Sequence, residues 1–141
     1  METKFTAELV TGTDEQNKVL YDLLLKRTFK ISHYFMPSFD EHVKFILENP
    51  YRSWFLLKDK DMYLGSFYIH NDNSIGINLI TYEEEIVTWC LEFINKEFEP
   101  LSPIKSVIPP FFYLNVSPEN TEMISLLKRE GHEQIQLSFR V

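Results

Sequence analysis

The 141-residue chain contains one cysteine, four glycines and fewer basic than acidic side chains, 14 against 21. Each shortage removes a class of explanation. A lone cysteine, Cys90, closes no internal disulfide, so an apolar core must hold the fold, and a reducing, cytoplasmic compartment is expected. The basic deficit leaves a net charge of −7 with Lys and Arg scattered, which argues against nucleic acid as a partner. No apolar run reaches bilayer-spanning length, and the opening METKFTAELV lacks the basic and apolar regions of a signal peptide, so no membrane partner is expected. The four histidines and the cysteine show no ligand spacing, so no metal is expected either. Nucleophile elbows, Gly-x-x-x-x-Gly-Lys phosphate loops, repeats and linkers are all missing.

What is present is core material. Hydrophobic residues make up 44% of the chain and aromatics 15%, with only 25% charged, which suits one folded domain over 1–141, either whole or part of a longer protein. Phe5 to Val10 reads as a strand. Thr13 and Gln16 form a capping box that opens a helix to about Lys26, with Val19, Leu20, Leu23 and Leu24 on its apolar face. After the loop TFKISHYFMP, Ser38 and Glu41 form a second box. The helix it opens is striped by Phe39, Val43, Ile46 and Leu47 and stops near Asn49-Pro50.

Three strands follow at hairpin spacing: SWFLLK, MYLGSFYIH and SIGINLI, turning through Asp59-Lys60-Asp61 and Asn71-Asp72-Asn73. Thr81 and Glu84 offer a third capping box for a helix to about Phe98. The proline-broken PLSPIKSVIPP leads to the strand FFYLNV. Asn120 can then cap a short helix carrying Met123, Ile124 and Leu127, which Gly131 ends in a left-handed residue, and HEQIQLSFRV closes as a strand. The fold class is therefore α/β, a mixed and mostly antiparallel sheet with helices on both faces. A strand-helix-strand unit after the meander requires a crossover, so the strands ending at Ile80 and Val116 should be parallel neighbours.

Two stretches in this order, WFLLKDKDMYLGSFYIHNDNSIGINL and LNVSPENTEMISLLKREGH, resemble the GNAT superfamily of acetyl-CoA-dependent N-acetyltransferases. The element order resembles that family over nearly the whole length. HVKFILENPYRSWFLL further resembles the subgroup that acetylates amino groups of nucleotide-linked sugars. The resemblance implies an acetyl group moving from acetyl-CoA to a primary amine, which the narrower match places on a sugar nucleotide. It implies cofactor binding along Asn78, Leu79 and Ile80, whose backbone would pair with pantetheine, and at Asn120. Candidate catalytic residues are His33 and Tyr113, and candidate acceptor contacts are Tyr34, Arg52 and Asn115.

Each candidate also has an ordinary structural role open to it: a loop histidine, a core tyrosine, a turn arginine, a helix cap. His42, in an acidic helix turn, is expected in solvent, and His70 at a strand end is expected to serve the turn. Two departures from the family pattern stand out. The phosphate loop is replaced by ITYEEEIVTW, with no glycine and no basic residue, and the usual tyrosine seven residues after the asparagine is Leu127. The other reading is therefore a GNAT-like domain that has lost catalysis and serves as a binding or structural module, paired with a second copy or a neighbouring domain.

Overall fold

A computed structural model describes residues 4–27 and 36–141; the expected contributions of His33 and Tyr34 fall outside them. Among the described residues, strands β1 (Phe5–Leu9), β2 (Ser53–Asp59), β3 (Met62–Ile69), β4 (Ser74–Leu79) and β5 (Tyr113–Leu114) form one sheet in that order. Neighbours from β1 to β4 are antiparallel, and β4 and β5 are parallel, as the crossover demands. Helices α1 (Asp14–Leu25) and α2 (Phe39–Glu48) precede β2, α3 (Glu84–Glu97) joins β4 to β5, and α4 (Thr121–Arg129) follows β5.

Strand alternation sorts the side chains into two cores, one on each side of the sheet. Phe55, Leu57, Phe67, Ile69, Ile75 and Leu79 face α3 and α4, meeting Ile86, Val87, Cys90, Ile94, Met123 and Leu126. Trp54 and Leu56 face the other way and meet Leu20 and Leu23 of α1 and Ile46 of α2. Phe67, Leu56, Leu57 and Ile69 are completely buried, each contributing roughly 1.5–3 kcal/mol of apolar transfer relative to exposure. Burial among these apolar groups pushes the Cys90 thiol up to about 12, so it stays a neutral packing group.

Local signals explain most boundaries. Both components of the Thr13–Gln16 and Ser38–Glu41 capping boxes form, and Asn49 ends α2 in the left-handed region at φ 39°. The meander turns use Lys60 at φ 56° and Asn73 at φ 72°. α4 ends in a Schellman arrangement: Gly131 sits at φ 88°, its N–H donates to the Lys128 carbonyl, and the His132 N–H donates to the Leu127 carbonyl.

Four expectations need correction. The Thr81–Glu84 box does not form: α3 begins at Glu84, and its N-cap, Glu83, makes no side-chain capping bond. FFYLNV supplies only two ladder residues, Tyr113 and Leu114. HEQIQLSFRV joins no strand of the sheet, and its apolar positions Ile135, Leu137, Phe139 and Val141 are exposed. His42 is buried, packed between the rings of Tyr21 and Phe45, because it falls on the side of α2 that faces α1 rather than solvent.

Candidate functional site

The site begins where β4 and β5 part. Their ladder has two rungs, Ser74 with Tyr113 and Ile75 with Leu114, while β4 runs on through Gly76, Ile77, Asn78 and Leu79. Antiparallel pairing alternates, so every second residue of β4 directs its N–H and C=O to β3. The Ser74 carbonyl accepts from His70 N–H, and Ile80 N–H donates to the Leu64 carbonyl. By that parity Asn78 also turns its backbone to β3, opposite Ser66. Residues 73, 75, 77 and 79 face the other way, and Tyr113 N–H duly donates to the Asn73 carbonyl at 3.2 Å. Beyond Ile75, the Ile77 carbonyl and the Leu79 N–H therefore point into a gap where β5 has already left.

That parity refines the expected edge. Of Asn78, Leu79 and Ile80, only Leu79 offers its backbone to the gap; the Asn78 and Ile80 backbones are committed to β3, and Ile77 takes their place. Tyr82 occupies both gap-facing groups. Its hydroxyl accepts from Leu79 N–H at 3.4 Å and donates to the Ile77 carbonyl at 3.4 Å. Burial raises its pKa above the usual phenol value, against smaller opposing contributions from the Leu79 N–H and the charge of Arg27. It therefore stays protonated at neutral pH and keeps its proton for Ile77.

Asn120 closes the gap from the α4 side. It is buried, its Oδ1 accepts from Met123 N–H at 3.2 Å, and it lines a small void of about 20 Å³ with Arg27, Ile77, Tyr82, Asn115 and Val116. Tyr82 also lines a larger cavity of about 350 Å³ that runs along the length of α4 beside the first turn of α3, lined by Glu84, Thr121, Glu122, Ser125 and Arg129 among others. The arginine and the first turn of α3 suit an anion. Opposing them, Arg129 Nε lies 3.4 Å from Glu84 Oε1, and a hydrogen bond and charge from Glu84 hold the Glu130 carboxyl above its ordinary value. The cavity thus has a cation, already engaged by carboxylates. Arg129 and Tyr82 escaped the sequence reading. A basic residue in a last helical turn looks like ordinary dipole complementation, and the one sign of Tyr82 is an aromatic between a strand end and a run of glutamates.

The remaining candidates lie at the paired end of β4. The Tyr113 hydroxyl donates to Asp72 Oδ2 at 3.3 Å. Burial pushes the Tyr113 pKa up, and the Asp72 charge adds to it. For Asp72, burial acts upward but is outweighed by hydrogen bonds from Ser74 and the charge of His70, so the carboxyl sits below its usual range. Arg52 is committed elsewhere: Nη1 donates to the Glu99 carbonyl at 2.9 Å and the guanidinium lies 5.4 Å from the Phe98 ring centre. Asn115 lines the void beside Asn120, whereas Tyr113 and Arg52 do not. At the β3–β4 turn the backbone N–H of His70 donates to the Ser74 carbonyl, and the His70 ring packs edge-on to Tyr51 and Tyr68.

A scan against protein-family models finds no match, and neither does a comparison with curated proteins. Solved structures do match. A chimera of Vibrio cholerae spermidine N-acetyltransferase SpeG and hSSAT superposes with a TM-score of 0.57 at 16% identity, covering 90% of this chain and 79% of that one. A possible acetyltransferase from Clostridium difficile 630 superposes with a TM-score of 0.55 at 12% identity, covering 97% and 96%. The fold is that of the GNAT acetyltransferases. Within the GNAT fold, the two departures seen in the sequence now have surroundings. The glutamate turn at the start of α3 faces Arg129, and Leu127 packs against the main core.

Proposed function

We propose that the chain is an N-acetyltransferase that moves an acetyl group from acetyl-CoA to the primary amine of a small molecule. The observation that carries the reading is the open β4 edge, where the Ile77 carbonyl and Leu79 N–H face a gap bounded by the capping Asn120. An amide-bearing arm can add to such an edge as a strand would, because main-chain bonds give affinity without demanding particular side chains. The thioester would supply an activated acyl group. The Ile77 carbonyl, the Leu79 N–H and Asn120 would hold the arm, and Arg129 would meet phosphate. A neutral amine attacking directly needs placement above all, and a thiolate leaves without much help. The loss of the usual tyrosine at Leu127 therefore slows the reaction by the general-acid factor, typically ~10²–10⁴-fold, without abolishing it.

The acceptor is read as a small cationic amine. Net charge −7 draws such a substrate, and one solved structure that superposes on the chain is a spermidine N-acetyltransferase chimera. The amino-sugar nucleotide reading rested on the resemblance of HVKFILENPYRSWFLL, with Arg52 among its acceptor contacts, and that guanidinium instead donates to the Glu99 carbonyl and lies over the Phe98 ring.

Thermal unfolding with and without acetyl-CoA tests the reading, alongside thiol release over a panel of amines. Saturation at a hundred times Kd stabilises by about 2.7 kcal/mol. Asn120→Ser keeps a capping side chain, so the unliganded protein should melt within about 1 °C of wild type. Its shift with acetyl-CoA should be smaller. No shift in either protein and no thiol release would leave Asn120 a helix cap and the chain a non-catalytic module.

A further inference from the structure

Tyr82 stands at the junction of every feature just described. It lines the small void and the larger cavity alike, so its ring is the partition between the Asn120 side and the Arg129 side. Its hydroxyl saturates one outward donor and one outward acceptor of β4, the pair that an incoming amide would need. The local chain accommodates this contact. The Thr81–Glu84 box is unformed and α3 starts at Glu84, with Tyr82 turned back onto the strand it follows.

We propose that Tyr82 is an internal plug of the cleft: its phenol imitates the donor–acceptor pair of an extended amide ligand and must swing away before that ligand can bind. The inference rests on the acetyl-CoA reading and adds a specificity-determining residue to it. The plug gives the unliganded protein a partner for an N–H and a C=O that β5 leaves unpaired. It also lowers apparent affinity by the fraction of molecules in which the cleft is closed. Ligands that need the β4 edge meet this cost, whereas ligands that sit only in the Arg129 cavity do not.

Calorimetry on wild type, Tyr82→Phe and Tyr82→Ala with three probes tests this: acetyl-CoA, pantetheine, and adenosine 3′,5′-bisphosphate. Tyr82→Phe keeps the ring and packing and removes only the competing hydroxyl. It should tighten acetyl-CoA and pantetheine by about tenfold, the order expected when one or two modest hydrogen bonds no longer have to be broken. Tyr82→Ala should tighten them at least as much. The bisphosphate should be unaffected by the Phe variant. Amide exchange at Leu79 in the unliganded protein should speed up in Tyr82→Phe, a readout independent of any ligand. Equal or weaker acetyl-CoA binding by the Phe variant, with clear binding by wild type, would overturn the plug and leave the acetyltransferase reading standing. No binding by wild type or either variant would overturn both.

Discussion

The β2–β4 meander and the chain after α4 are written in the same strand alphabet and end differently. IQLSFRV near the C-terminus alternates apolar and polar residues strictly and MYLGSFYI in β3 does not, yet β3 is paired on both sides and the C-terminal stretch joins no strand of the sheet. Alternation specifies which face a strand presents; it does not supply an edge to present it to. β3 has β2 and β4, seven and six residues long, as neighbours. The sheet's last strand, β5, offers only two residues, too short a template to order another strand. The shortness of β5 that strands the tail also opens the cleft, so unpaired edge and candidate site share one cause.

Breaking the paired region should have the largest effect. Phe67 is fully buried and packs against the rings of Phe55 and Phe93. Phe67→Ala should cost about 3–5 kcal/mol in chemical denaturation, a large share of the stability of an ordinary domain. The matched change on β5, Leu114→Ala, should cost less than half of that, since Leu114 is only half-buried. Equal costs would mean that the two ends of the sheet are one cooperative unit.

An intermediate effect should come from the tether between the regions. Asn73 is fully buried; its Nδ2 donates to the Leu101 and Pro109 carbonyls at 3.0 and 2.9 Å, and its Oδ1 accepts from Leu101 N–H at 2.7 Å. It thereby fastens the segment leading into β5 to the β3–β4 turn, in a left-handed conformation that asparagine tolerates well. Asn73→Ala leaves those groups without their partner and should cost about 1–3 kcal/mol. Hydrogen exchange should rise first at the Tyr113 amide and only later within β3. Uniform exchange across both would contradict a local tether.

The same contrast explains what the sequence makes legible. Signals that act within one turn were readable: Thr13 with Gln16, Ser38 with Glu41, Gly131 after α4, Asn120 as a cap. Thr81 with Glu84 shows how a local signal fails: of the two residues between them, Tyr82 is bonded to β4 and Glu83 is the N-cap, so the helix starts later. The parallel crossover followed from topology alone. The cleft itself was reached through family resemblance, since it consists of backbone groups that any sequence carries. Ile77 and Leu79 emerge as its edge only once the β3–β4 register fixes which carbonyls and amides face outward. Arg129 and Glu84 meet across two helices far apart in sequence, beyond any spacing rule.

The smallest expected effect is the sharpest statement about the tail. If alternation without an edge contributes nothing to the fold, removing residues 133–141 should leave stability where it is. Ile135, Leu137 and Phe139 are 54%, 70% and 83% exposed, so their loss uncovers little that the fold buries. The Schellman closure of α4, which reaches only to His132, would survive the cut. Thermal unfolding of the truncated chain should therefore fall within about 1 °C of the full chain, equivalent to a few tenths of a kcal/mol for a domain of this size. The truncated protein should also be the more soluble, having lost a run of exposed apolar strand residues. A fall of several degrees would show that the tail does find an edge, and the β4–β5 end of the sheet would then be the place to look for it.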